Sequence, residues 1–207
     1  LAVDENTDVD YSLTTRELGR IFKQYNIDFN SLADSEFDSP MGDSTGAADI
    51  FGRTGGVMEA AARTLYEWVA NEKLDNLDFI PLRGFEEVRT AEVKIGDKSL
   101  RLAVVHGLGA ARKVVEKILA GEEEFHAIEV MACKGGCIGG GGQPYHHGNF
   151  DIIKTRAEAI QNLDYHKEIR ASHKNPYVVE LYEKELGEPY GEKAHKLFHT
   201  HYVDRKQ

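Results

Sequence analysis

Cys133 and Cys137 are the only thiols in this 207-residue chain, and three residues separate them. They lie in the stretch Glu129–Val130–Met131–Ala132–Cys133–Lys134–Gly135–Gly136–Cys137–Ile138–Gly139–Gly140–Gly141–Gly142–Gln143–Pro144. Glycine fills six of the eight positions from 135 to 142. Cysteine is the soft, thiolate-forming ligand suited to iron–sulfur clusters, zinc or copper(I). Glycine lets a backbone approach a bulky object in conformations that other residues avoid. The pattern fits a loop wrapped around something large and inorganic. Other chemistries stay open. The cysteines could be a disulfide or two unrelated core thiols. Zinc could be completed by His106, His146 or His147, although the spacing matches no common zinc pattern. The glycine run could cradle phosphate, although it lacks a Gly-Lys-Ser/Thr ending and opens into no helix.

Such a loop needs rigid elements on both sides. Phe125 to Met131 reads as a short, buried apolar strand, so the cysteines emerge where the strand ends. Before it, Ala91, Val93 and Ile95 alternate, as do Leu100, Leu102 and Val104, with Gly96–Asp97–Lys98 between them. That predicts a β-hairpin ending at His106–Gly107. Ala111, Val114, Val115, Ile118 and Leu119 predict an amphipathic helix closed by Gly121. Further upstream, Gly52, Gly55 and Gly56 precede a helix with Val57, Ala61, Leu65 and Trp68 as its buried stripe. Glu59, Arg63 and Glu67 are expected to face away. The glycine turn would offer free backbone N–H groups at a helix N-terminus. A polar connector is expected from Asn71 to Arg83.

At the start, Val9 and Tyr11 suggest a strand. Thr14 and Glu17 fit a capping box before a helix lined by Leu18, Ile21, Phe22 and Tyr25. Asn30 to Asp49, rich in Ser, Asp, Gly and Pro, is expected to be one long loop. Beyond Gly148 strand signals stop, and helices are expected over about 152–171, 176–186 and 189–202, with Pro176 and Pro189 at starts and Gly187 at a stop. The expected fold is therefore an α/β lobe, a mixed sheet with flanking helices and the cysteine strand in its interior, over 1–148. An all-α tail over 149–207 would pack outside it. His166, His173, His195, His199 and His201 fall in the tail and read as surface or packing residues. His195 and His199 are four apart, but no Glu follows His195 as a zinc-protease helix requires.

The net charge of −10 argues against nucleic acid and anionic lipid as partners. No run of 18 apolar residues and no signal peptide is visible, so no membrane insertion is expected. Ligand-like rather than bridged cysteines suit a reducing cytoplasm. Leu1, in place of Met, reads as something other than the start of a complete translation product.

Glu129 to Pro144 closely resembles the third cluster-binding motif of iron-only ([FeFe]) hydrogenases. Ser44–Thr45–Gly46–Ala47–Ala48–Asp49–Ile50–Phe51–Gly52–Arg53–Thr54–Gly55–Gly56–Val57–Met58–Glu59–Ala60–Ala61 resembles another block of that family, in the right order. So do Leu13–Thr14–Thr15–Arg16–Glu17–Leu18 and the tail from Thr155 to about Tyr202. The resemblance implies the C-terminal half of the catalytic domain plus a tail similar to the family's small subunit. The activity it implies is reversible interconversion of protons plus electrons and H2, in anaerobic metabolism. The implied cofactor is the H-cluster, a [4Fe–4S] cubane joined to a two-iron subcluster and held by four cysteines, two of them outside this chain. By resemblance, Cys133 binds the cubane only, while Cys137 binds it and bridges to the two-iron unit. Phe51 and Met131 pack near that unit, and Gly52 borders the cofactor. Implied partners are the N-terminal half of the domain and ferredoxin or another, nicotinamide-linked redox subunit. Lys134 departs from the family, where proline is common. Two other readings are a non-catalytic iron–sulfur relative of the prelamin-recognition-factor kind, for assembly or sensing, and a zinc-binding or structural interaction domain.

Overall fold

Thr14 fixes the first helix. Its Oγ1 accepts the Glu17 N–H at 3.2 Å while the Glu17 carboxylate accepts the Thr14 N–H at 2.8 Å. This reciprocal cap satisfies two of the donors that a helix start leaves free. The computed structural model describes residues 9–36 and 43–199. In it α1 (Thr15–Gln24) is followed by a 3₁₀ turn, Phe29–Ser31, and by the short α2 (Gly46–Asp49). A second 3₁₀ turn, Ile50–Gly52, leads into α3 (Gly56–Ala70).

The hairpin forms as its alternation predicts. Strand β1 (Val88–Ile95) pairs antiparallel with β2 (Lys98–His106), with Ala91 opposite Leu102. Helix α4 (Leu108–Leu119) then crosses over to β3 (Ala127–Met131), which runs parallel to β2 with Val105 opposite Val130. The sheet order is β1-β2-β3. Met58 and Ala62 of α3 pack on one face with Val93, Ile95, Leu102 and Val104. Ala111 and Val114 of α4 pack on Val105. The tail is helical: α5 (Phe150–His166), α6 (Pro176–Leu181), a π-helical turn Tyr182–Leu186, and α7 (Glu192–Phe198). The architecture is thus a small mixed sheet with flanking helices followed by a helical C-terminal part. No strand occurs beyond residue 155 among the described residues.

Several expectations are corrected. Residues 9–13 are exposed and form no strand, with a bend at Asp10. The expected loop from Asn30 to Asp49 ends in α2, because Thr45 caps Ala48 and Gly46 fits where a Cβ would strike Asp164. The connector 71–83 contains the turn Ile80–Leu82, with Leu82 in the core. Strand β3 is an edge strand rather than an interior one, and Ile128 and Val130 remain 37% and 48% exposed. Helix α3 is rotated from its expected orientation. Glu59 and Arg63 are buried, while Val57, Leu65 and Trp68 are exposed. Buried ion pairs to the tail hold that face inward; of the apolar stripe, Trp68 meets the tail edge-on at His173, while Val57 and Leu65 stay exposed. Helix α5 stops at His166, where Lys167 turns extended, and α7 begins at Glu192, three residues past Pro189. The predicted helix end at 200–202, His201, residues 1–8 and residues 37–42 lie outside the described residues.

A candidate metal centre at the cysteine loop

Strand β3 delivers Met131, and the Gly107 N–H donates to its carbonyl at 2.8 Å. Two residues later the chain folds into a tight loop. The Gly136 N–H donates to Cys133 O at 3.1 Å, and the Gly140 N–H donates to Cys137 O at 2.9 Å. Gly135 and Gly136 take φ values of +81° and +98°, a region that strains any side-chain-bearing residue. Cβ atoms there would strike Ile153 and the Thr54 backbone. Glycine is therefore required by packing as well as by torsion. Both thiols are free and exposed.

The back of the loop is locked from four directions. His106, almost fully buried at the end of β2, accepts the Gly135 N–H on Nδ1 at 3.1 Å. Its Nε2 therefore carries the proton and donates to Phe85 O at 3.2 Å. The Thr54 N–H donates to Gly135 O at 3.0 Å. Helix α5 supplies Arg156, which donates to Ile138 O at 2.8 Å and to Pro144 O at 2.7 Å, while Ile138 packs on Ile153 and Ala157. From α1, the Arg16 N–H donates to Gly142 O at 3.1 Å.

Glu129 joins this scaffold to α3. Its side chain leaves β3 and accepts the Gly55 N–H at 2.5 Å and the Met58 N–H at 2.8 Å. A carboxylate at a helix N-terminus meets the positive end of the dipole. The N–H groups that the glycine turn was expected to offer to a ligand are occupied from within the chain. Gly52 touches the loop, since a Cβ there would meet Ile138, and its carbonyl lies against Gly136. Met131 is half-buried two residues before Cys133. Phe51 is 46% exposed in the turn Ile50–Gly52. Lys134 pairs with Glu87 at 2.6 Å on the surface.

The support residues His106, Glu129 and Arg156 escape sequence reasoning. Only Glu129 leaves a trace, as the one charged residue inside an apolar strand. His106 has both ring nitrogens committed and cannot complete a zinc site as it stands. Among the described residues, no three His, Cys, Asp or Glu side chains converge on a point.

The donors fit an iron–sulfur cluster as half of its ligand set. Two soft thiols stand on a fixed backbone, and the Gly140 position would place a Cβ only 3.8 Å from Cys133 Sγ. A cubane takes about four protein ligands, so the rest must come from elsewhere.

The family described as iron only hydrogenase large subunit, C-terminal domain, matches residues 2–141. The family described as iron hydrogenase small subunit matches residues 150–205. The chain belongs to the iron-only hydrogenase family. It is 54% identical over 206 residues to the NADP-reducing hydrogenase subunit HndD of Solidesulfovibrio fructosivorans, covering 100% of this chain and 35% of that protein. The periplasmic [Fe] hydrogenase large subunit of Nitratidesulfovibrio vulgaris is 49% identical over 146 residues, covering 70% of this chain and 35% of that one. A solved [FeFe]-hydrogenase variant from Chlamydomonas reinhardtii superposes with a TM-score of 0.75 at 39% identity, covering 94% of this chain and 56% of that one. At lower identity, 31% over 209 residues, stands the cytosolic iron-sulfur assembly component 3 of Mus musculus, covering 96% of this chain and 42% of that protein. The chain thus spans about a third of the length of these two hydrogenases, and it corresponds to the C-terminal region of the family. No helix among the described residues is long and apolar enough to cross a membrane.

Proposed function

We propose that residues 1–148 form the C-terminal lobe of an iron-only hydrogenase catalytic domain and that 149–207 form a small-subunit-like helical tail. The complete protein interconverts protons plus electrons and H2. Cys133 and Cys137 would supply two of the four thiolates that hold the H-cluster. When bound, that cofactor supplies the redox-active iron at which hydrogen is made or split. The chain's own residues hold and shield it. His106, Thr54 and Arg156 fix the loop from behind, so the two thiolates keep one spacing. Phe51, Met131 and Gly52 border the site, where apolar neighbours exclude water and keep the local dielectric low. The N-terminal half of the domain brings the other two cysteines. Ferredoxin or a nicotinamide-linked subunit exchanges electrons with it, and the cytoplasm is the proposed compartment.

The observation that carries this reading is the contrast between the two sides of one loop: both thiols exposed in front, the backbone clamped behind. The test is anaerobic expression with the hydrogenase maturation machinery, of the 207-residue chain alone and together with the missing half. Iron and sulfide are counted, and H2 evolution is assayed with reduced viologen. The chain alone is expected to fold but to hold no complete cluster and to turn over no hydrogen. Co-expression should restore both, and Cys137→Ser should abolish them. Robust activity from the chain alone overturns the half-site reading. An assembly or sensing relative would instead hold cubane iron without the two-iron unit, and the hydrogenase-like block from Ser44 to Ala61 favours the first reading.

A further inference from the structure

Away from the cysteines, four arginines are woven through three carboxylates. Glu59 accepts from Arg53, from Arg63 at 2.8 Å and from Arg83 at 2.7 Å. Asp164 accepts from Arg63 and from Arg170, each at 2.7 Å. Asp78 accepts from Arg83 and Arg170, each at 2.7 Å. The side chains of Glu59, Arg63 and Asp164 are fully buried, and that of Arg53 is nearly so. Four guanidinium groups thus share three carboxylates, and one positive charge is left over. The surplus belongs to these seven interleaved groups; beside them Arg89 faces both Glu129 and Glu86, and Lys167 faces Asp49. Burying an uncompensated charge is expensive unless something neutralises it.

The surplus has an outlet. Arg53 and Arg83 both line a cavity of about 370 Å³ between their own turn and α5. Arg53 is held in place by Gln161 Oε1 at 3.0 Å and Thr54 O at 3.2 Å. Arg83 Nη1 makes no hydrogen bond among the described residues, although its Nε and Nη2 are engaged. Lys154 stands on the same wall but is tied to Asp151 at 2.9 Å. Glu158 is the one carboxylate at the rim without an ion pair among the described residues, and it is exposed. The remaining wall includes Phe85, Ala157 and Tyr165, which are apolar or aromatic. Burial lowers Arg53, and its neighbours Arg83 and Arg63 lower it further, despite the opposing pull of Glu59. Burial alone would lower Arg83 too, but its bonds to Glu59 and Asp78 raise it.

We infer that this cavity binds a small monocarboxylate, whose charged end meets the Arg53–Arg83 pair and whose carbon body lies against Phe85, Ala157 and Tyr165. Asp78 and Glu158 stand on the same wall, which favours a monoanion over phosphate. The apolar wall favours a carbon-bearing anion over chloride. A forked guanidinium matches a carboxylate in shape as well as charge. The site lies behind the cysteine loop, one residue from the Thr54 N–H that holds Gly135, and it is separate from the proposed cluster face.

The test uses the 207-residue chain at constant ionic strength, with binding followed by calorimetry and melting by fluorimetry. The probes are formate, acetate, butyrate, chloride and phosphate as sodium salts. Saturable binding is expected for the carboxylates, with butyrate tighter than formate, and chloride and phosphate weaker by about tenfold or more, the scale of a charged hydrogen bond. Asn162→Asp places a carboxylate on the cavity wall, at an exposed position whose side chain makes no hydrogen bond among the described residues. It should raise the melting temperature and abolish carboxylate binding. Glu158→Gln removes the competing rim charge and should tighten binding. No saturable binding of any carboxylate, chloride binding as tightly as butyrate, or unchanged binding in Asn162→Asp would each overturn the proposal. None of these readouts depends on iron, so the hydrogenase reading stands or falls separately.

Discussion

Helices α3 and α4 both follow a glycine of positive φ, and both carry an apolar stripe at helical spacing, yet they treat those stripes differently. Helix α4 turns Ala111, Val114 and Ile118 of its stripe onto the sheet and, against expectation, leaves Val115 and Leu119 exposed. Helix α3 shares Met58 and Ala62 with the sheet but buries Glu59 and Arg63 beside them, and it leaves Trp68 50% exposed. Periodicity tells which residues share a face. It does not tell which face finds a partner. For α4 the partner is Val105 in the adjoining strand. For α3 the tail offers Asp164 and Arg170, and five hydrogen bonds from Arg63 to Leu77 O, Glu59, Asp164 and Arg170 O outweigh an apolar stripe that meets the tail at Trp68 but leaves Leu65 exposed.

The sharpest way to break this comparison is to remove the buried charge. Glu59→Ala leaves Arg53 and Arg63 buried without their shared acceptor. Orphaning a buried charge costs on the order of 3–5 kcal/mol, so the urea midpoint should fall far or folding should fail. On α4, Val114→Ala only creates a small cavity and should cost about 1–3 kcal/mol. A Glu59→Ala cost no larger than that of Val114→Ala would mean that the arginine network is solvated in solution.

A third measurement tests the other seam between α3 and the tail. Glu67 accepts from His173 at 2.8 Å and from Lys174 at 2.7 Å. Burial alone would raise its carboxyl, but hydrogen bonds from Lys174, His173 and the Leu74 N–H bring it down from 4.5 to about 2. A carboxyl lowered by folding stabilises the fold above its ordinary value. That contribution is lost as pH falls from about 4.5 toward 2. Exposed Lys174 is screened by solvent, so the effect should be on the order of 1 kcal/mol. Glu67→Gln should flatten stability against pH within that window, and an unchanged slope would exclude this contact as its source.

The exposed stripe should respond least in the chain alone. Leu65→Ser is expected to change stability by no more than about 0.5 kcal/mol, as surface substitutions do. In the complete protein the same change should cost more if the N-terminal half covers this face. An equal, small cost in both would leave the stripe without a partner.

What the sequence revealed follows the same division. The capping box, the hairpin, the α4 crossover and the helical tail were legible because each depends on contacts close in sequence or on strict alternation. The cysteine loop was legible from two residue types at one spacing. The α3 orientation was not, because its cause sits about 100 residues away at Asp164. The edge position of β3 was hidden for a related reason: apolar content gives a strand its type but not its number of neighbours. Of the loop's supports, Glu129 alone left a trace. Nothing in the residue types distinguishes Arg156, which clamps Ile138 and Pro144, from any other arginine on an amphipathic helix.

Lys134 carries the contrast between buried and solvated charge to the cysteine loop itself. A cation beside Cys133 should favour the reduced state of a cluster held there, so Lys134→Pro should lower its potential. The ammonium, however, is paired with Glu87 at 2.6 Å, and the two side chains are 68% and 53% exposed. Lys134 also holds the Glu87 carboxyl below its ordinary range through the hydrogen bond and its charge. The pair is nearly neutral from a distance, and salt screens what remains beyond about 8–10 Å. Exposed ion pairs contribute little. At one electron, about 59 mV corresponds to a tenfold change. Lys134→Pro in the complete protein should therefore shift the potential down by no more than about that amount. Glu87→Gln, which unmasks the ammonium, should shift it up by a similar amount, and the double variant should lie between them. A redox titration in which Lys134→Pro moves the potential by much more than about 60 mV would show that the ammonium leaves Glu87 when the cluster is bound.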